Sequence, residues 1–390
     1  MIIKYFRARN LVIFHDILRN NSNIMKILYD HQVFSWQKFG GISRYFYELM
    51  MHSQGLFDYE LSGIFSDNEY MGTLKTYKNF LIPYQFKGKQ RIVNTLNRTQ
   101  SINLIKKAKY DIIHPTYYDP YILKLKKTNR IPLIIDVHDM IYEKFPKNFR
   151  NPQKVINNKR KYFIRADKIV ATSEKTKEDL LSIYSDIPEN KIVVIYRGNT
   201  FPVNNIEQEK ERYLLFTGSR HGYKNFNNFI IAIAPLMNKY NLKLICTGQK
   251  FSNKEMRLFE NYKIENMVFC KMVTDCELIE LYRKASAFIF PSLYEGFGLP
   301  ILEAFSSGCP IILSNSSCFP EIAGDAAEYF DPCSLEDMRV VIEKVITSSS
   351  LREQLISKGK ERVKQFSWER CANETAQVYS SLLGNVQLAR

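Results

Sequence analysis

Two glutamates, Glu295 and Glu303, stand eight residues apart in the run FPSLYEGFGLPILEAFSSGCPIILS, from Phe290 to Ser314. An ionised carboxylate only accepts hydrogen bonds, so both suit the hydroxyls of a sugar. Between them, Gly296 and Gly298 allow a backbone to come close to a ligand, and the N–H groups of Phe297, Gly298 and Leu299 would meet a phosphate. Pro300 removes a donor that the first turn of a helix does not need. Upstream, YLLFTGSRHGYKNF (Tyr213–Phe226) offers Arg220 and Lys224 after a strand that ends in Thr217-Gly218. An arginine holds two phosphate oxygens at once and a lysine adds a point charge, so the pair would neutralise a diphosphate. Each feature alone has an ordinary explanation: a solvated basic loop, a tight strand-to-helix turn, an exposed acid. Combined, they point to a sugar attached to a phosphate.

Such residues need strand ends and helix starts to position them. Short β-branched and aromatic runs alternate here with helical patterns, the rhythm of parallel sheets with crossover helices. The first half is expected to hold strands at Lys26–Tyr29, Leu61–Phe65, Ile112–His114, Leu133–Val137, Lys168–Ala171 and Lys191–Ile195. The second half is expected to hold strands at Tyr213–Thr217, Leu242–Thr247, Met267–Cys270, Ala287–Phe290, Pro310–Leu313 and Glu328–Phe330. Helices are expected at Asn227–Asn238, Cys276–Lys284 and Leu335–Ser348, with a closing helix at about 366–383. The polar stretch GNTFPVNNIEQEKE reads as a linker near Gly198–Glu211. The fold class is therefore α/β, with two doubly wound sheets facing each other and a ligand between them at the carboxyl ends of the strands.

The 390 residues fit two domains of roughly 150–200 residues each. Hydrophobic content of 45% and charged content of 24% are ordinary for a globular chain, and no apolar run approaches the roughly 18–20 residues of a membrane-spanning helix. Seven cysteines, all in the second half and none in a C-x-x-C pair, read as small core residues in a reducing compartment rather than a metal cluster. Residues 1–200 carry 33 Lys and Arg against 18 Asp and Glu, whereas the rest is balanced at 22 against 22. The basic half would face an anionic surface. Residues 75–109, basic and interleaved with Phe, Tyr, Ile and Leu, suit an interfacial membrane contact, or else a solvated face. Residues 1–24 lack the pattern of a signal peptide and are expected to be an N-terminal extension, either a basic amphipathic anchor or residues upstream of the true start.

The Glu295 and Glu303 pair, the basic pair Arg220 and Lys224, and FSW at 366–368 resemble glycosyltransferase family 4, retaining transferases of the GT-B fold. DHQVFSWQKFGGISRYFYEL near the N-terminus, HPTYYDP at 114–120 and VHDMIYEKFP at 137–146 are similar to its O-antigen mannosyltransferase branch. The resemblance implies an acceptor-side domain of residues 25–198 plus 367–390 and a donor-binding domain of residues 199–366. It implies that Gly40 and Gly41 face the donor phosphates and that His138 reaches the donor sugar. Arg220 and Lys224 would hold the diphosphate, Glu295 the sugar hydroxyls and Glu303 the ribose. Arg44 and Tyr45 would orient the acceptor or simply cap a helix.

The implied activity is retaining transfer of a hexose, mannose from GDP-mannose in the first instance, with UDP-glucose or UDP-N-acetylglucosamine as alternatives. The implied acceptor is a lipid-linked oligosaccharide on the cytoplasmic face of the membrane. The chain contains no Asp-x-Asp, so no metal and no other cofactor is expected. Competing readings are a nucleotide-sugar epimerase or a phosphorylase of the same fold, and a non-catalytic module for an anionic surface. A nucleic-acid partner is disfavoured, because the basic excess lies away from the phosphate motif.

Overall fold

The computed structural model describes residues 24–74, 87–107, 109–203 and 209–388. Residues 1–23, nearly all of the expected extension, and 75–86 of the basic segment lie outside the described residues.

Twelve strands are present among the described residues. In the first half, β1 (Lys26–Tyr29) pairs in parallel with β2 (Asp58–Leu61) and β3 (Ile112–His114). Next come β4 (Ile134–Val137), β5 (Lys168–Ala171) and β6 (Ile192–Val194), again parallel and in that order. A parallel bridge between Ile113 and Leu133 joins the two triplets. The second half folds β7 (Glu211–Phe216), β8 (Lys243–Thr247), β9 (Val268–Lys271), β10 (Ala285–Phe290), β11 (Ile311–Ser314) and β12 (Glu328–Phe330) into one parallel sheet. Its order, β12-β11-β10-β7-β8-β9, reverses direction between β7 and β10. That reversal point is where open α/β sheets bind ligands, outside the carboxyl ends of the two strands.

The sequence explains this placement. A strand covered on both faces reads as a near-continuous apolar run, and ASAFIF of β10, flanked by β11 and β7, is buried from Ala287 to Phe290. Helix starts carry their own chemistry. Ser252 with Glu255 and Thr274 with Glu277 form reciprocal caps that satisfy first-turn N–H groups. The closing helix, Trp368–Leu388, returns to the first half: Cys371, Ala372 and Tyr379 share a core with Ile27, Tyr29 and Phe46. Gly198 lets it do so, because a Cβ there would lie 2.2 Å from the Trp368 backbone nitrogen.

Most expected elements form within one or two residues of the predicted bounds, with two corrections. The second strand is Asp58–Leu61, not Leu61–Phe65. It is an edge strand, so the polar DYEL suffices, and the Asn97 amide captures the N–H groups of Ile64 and Phe65 at 2.7 and 3.0 Å. Cys246, Cys309, Cys318 and Cys371 are buried as expected of small core residues, but Cys276 and Cys333 are exposed. Their helix-start and loop positions need no core side chain.

Candidate active site

The reversal point between β7 and β10 collects the first group of candidates. After β7 the chain passes Gly218, at φ +97°, into a short turn, Gly222–Lys224. Asn225 follows in the left-handed region, at φ 58°, and its amide donates to the Pro332 carbonyl at 2.8 Å. This fixes Lys224 against the loop after β10, where Leu293 N–H donates to the Tyr223 carbonyl at 2.7 Å. Lys224 Nζ meets Glu295 Oε1 at 2.6 Å and lies over the Phe290 ring. Ser317 holds the Glu295 backbone from both sides, accepting from its N–H and donating to its carbonyl at 2.6 Å. Gly298, at φ +88°, caps the helix Leu299–Ser306 with no side-chain acceptor for its first N–H groups. Those groups and the helix dipole make the turn electropositive.

Glu303 lies on that helix, 8% exposed. Its Oε2 accepts from Tyr282 at 3.3 Å, and its Oε1 accepts from Arg44 Nη1 at 2.8 Å. Burial raises the Glu303 carboxyl above its usual range even though Arg44 pulls the other way. Arg44 sits on helix Gly41–Met51 of the first half, so it reaches across the crevice, and it also pairs with Asp275 at 2.9 Å. The same helix start brings in the double glycine. A Cβ on Gly41 would lie 3.7 Å from Leu299, while Gly40 is backed by Gln37.

His138 directly follows β4, and its carbonyl lies against Gly296 so closely that a Cβ there would be 1.8 Å away. Three hydroxyls from the start of helix Glu174–Ile183 grip the Gly296 carbonyl: Thr172 at 3.0 Å, Ser173 at 2.7 Å and Thr176 at 3.1 Å. The His138 ring lies edge-on to Tyr45 and Phe46, and its Nδ1 meets Arg197 Nη2 at 2.5 Å. Burial first, and Arg197 second, lower its pKa to about 3. Asp136, two residues earlier, binds His114 Nε2 at 2.8 Å and the Tyr45 hydroxyl at 3.0 Å. Burial would raise Asp136, but His114, His138 and Arg197 outweigh it and the carboxyl lies below its usual range.

The structure thus brings together Gly41 with Leu299, His138 with Gly296, and Lys224 with Glu295. Glu303 adjoins them through Arg44. Arg220 is placed differently. Its guanidinium bonds Glu255 at 2.5 Å and the carbonyls of Gln249 and Lys250, and it stacks 4.7 Å from Phe251. Phe297 turns its ring into the core beside Tyr196 and Phe366, leaving only its backbone for a ligand. Sequence reasoning missed Arg197, Tyr282 and the three hydroxyls. ATSEKT carries the mark of a helix cap at Ser173, which is present as such, but nothing local announces a grip on Gly296.

Comparison with known proteins bears on this arrangement. The profile described as "Glycosyl transferases group 1" matches residues 185–362, and that described as "Glycosyltransferase Family 4" matches residues 39–199. The O-antigen chain mannosyltransferase B of Escherichia coli is 34% identical over 175 residues, 44% of this chain. The match spans 46% of that relative, about half its length. Among solved structures, the sucrose-phosphate synthase of Thermosynechococcus elongatus superposes with a TM-score of 0.71 at 18% identity, covering 93% of this chain and 100% of that one. Anabaena HepE in complex with UDP and glucose superposes with a TM-score of 0.69 at 15% identity, covering 92% and 100%. These two structures share the fold.

Proposed function

The chain belongs to glycosyltransferase family 4, and we propose that it transfers a hexose, mannose from GDP-mannose, to a lipid-linked oligosaccharide during assembly of a bacterial surface polysaccharide. The observation that carries this reading is the Lys224–Glu295 pair at the sheet's reversal point, one residue from the glycine on which His138 rests. Mannose and the O-antigen setting draw support from the mannosyltransferase relative.

In this reading the donor exchanges partners with charges that now satisfy one another. The diphosphate takes Lys224 and the N–H groups of the helix start, which frees Glu295 for the hydroxyls of the sugar. Arg220 joins them by leaving Glu255. The ribose diol takes Glu303 in place of Arg44. The bond from the sugar C1 to the β-phosphate oxygen breaks, and a bond from C1 to the acceptor oxygen forms on the same face. The acceptor proton passes to the departing phosphate oxygen, so configuration is retained without a protein nucleophile. Fixed cations and helix N–H groups stabilise the leaving diphosphate, and no metal is needed for that step.

Thermal denaturation with GDP, UDP and their sugars identifies the donor. GDP and GDP-mannose should raise the midpoint most, because a ligand that binds only the folded state stabilises it. Lys224→Ala and Glu295→Ala should each lower mannosyl transfer by about 100–1,000-fold, the usual cost of one such contact. No stabilisation by any nucleotide sugar, or full transfer by both variants, would overturn the reading.

A further inference from the structure

Arg197, two residues beyond Ile195 and 4% exposed, is a buried cation that enters no ion pair among the described residues. Its Nε has no partner, its guanidinium lies 4.4 Å over the Tyr45 ring, and its Nη2 contacts His138 Nδ1. A guanidinium has donors and no acceptor. The contact therefore has one direction: Nη2–H donates and Nδ1 accepts. The imidazole is then neutral, with its single proton on Nε2, which hydrogen-bonds to no described residue.

We propose that Arg197 is a positioning residue that holds His138 as the neutral tautomer whose Nε2–H donates to a hydroxyl of the transferred sugar. This rests on the reading of His138 as a donor-sugar contact. The other charged neighbours do not compete for the ring. Asp136 is occupied by His114 and Tyr45, and Tyr118 donates to the Asp136 carbonyl. Lys159 donates to the Asp139 carbonyl and to Glu143. With no carboxylate on Nδ1, His138 is not half of a His–Asp dyad and is not set up as a general base. Burial and Arg197 keep it neutral well below the physiological range. Neutrality matters because a glycosyl transition state gathers positive charge at the sugar ring, and an imidazolium beside it would oppose transfer.

The first test uses the unaltered protein. Nitrogen chemical shifts of His138 in 15N-histidine-labelled enzyme, assigned against His138→Gln, should show protonated Nε2, bare Nδ1 and no titration between about pH 5 and pH 8. A proton on Nδ1, or a titration in that window, would overturn the proposal. The second compares kcat/KM against pH. Arg197→Met should lose about 10–100-fold at the acid end, the worth of a charge-assisted hydrogen bond, recover as pH rises, and be largely rescued by Arg197→Lys. His138→Ala separates the two readings. If it transfers at the wild-type rate, the donor-sugar role of His138 fails. If it is impaired while Arg197→Met keeps both rate and pH profile, the role of Arg197 fails alone.

Discussion

At the scale of single residues, the crevice is organised by charges that already hold partners. Arg44 is the sharpest case. Its guanidinium spans Glu303 and Asp275 and donates through Nε to the Tyr70 hydroxyl at 2.9 Å. In the proposed reading the ribose diol takes the Glu303 carboxylate in its place. Arg44→Ala should therefore tighten binding of the nucleoside diphosphate by about threefold to tenfold, whereas Glu303→Ala should weaken it. Titration calorimetry with GDP and UDP reads both. Weaker binding in Arg44→Ala would mean that the guanidinium helps to hold the ligand. The expectation for this residue from sequence, acceptor contact or helix cap, follows from its place after the double glycine, and the partner 259 positions away does not.

At the scale of elements, the turn after β10 is clamped from the opposite half of the molecule. Gly296 is needed for close approach, since any side chain would strike the His138 carbonyl. Backbone on both sides leaves no flexible atom to move aside. Gly296→Ala should destabilise the fold by more than about 3 kcal/mol, among the larger single-residue effects, and abolish transfer. Ser173 does two tasks, capping its helix through Thr176 N–H at 3.1 Å and gripping Gly296. Ser173→Ala should cost about 1–2 kcal/mol, the range for a lost helix cap. Differential scanning calorimetry checks both values. Glu321 adds a second strap, accepting from Glu174 N–H at 2.7 Å at the same helix start.

At the scale of the whole molecule, the GT-B fold places a basic first half beside a neutral second half. Among the described residues no helix is long and apolar enough to cross a membrane. Helix Lys89–Lys107 carries five cations and no acid, and it exposes Ile92 and Leu96 one turn apart. Lys89 is buried against Asp67 and the half-buried Arg98 pairs with Asp119 at 3.7 Å, so Arg91, Lys106 and Lys107 are its most exposed cations. Vesicles containing phosphatidylglycerol should sediment the protein while phosphatidylcholine vesicles do not. Binding should fall as salt rises above about 0.1 M, where screening acts over roughly 10 Å. Changing Arg91, Lys106 and Lys107 to glutamine should weaken it, at about 1 kcal/mol per charge near an anionic surface. Equal binding to both vesicles would remove the electrostatic account.

Much of this was readable without coordinates. Apolar runs such as KILY and KIVA mark their strands because side-chain periodicity is local. Glycine and proline mark the turn from Glu295 to Pro300 because positive φ and a missing donor are local requirements too. The edge strand DYEL escaped because one buried face leaves little apolar signal. What tertiary structure alone decided is which partner each charge takes. Lys224 turns to Glu295 while Arg220, four residues away, turns to Glu255. Arg197 reaches a histidine from another strand end. Residue type and spacing determine that a charge exists and roughly where its backbone lies. The pairing depends on distances across a crevice between two sheets, and those are set by packing of the whole chain.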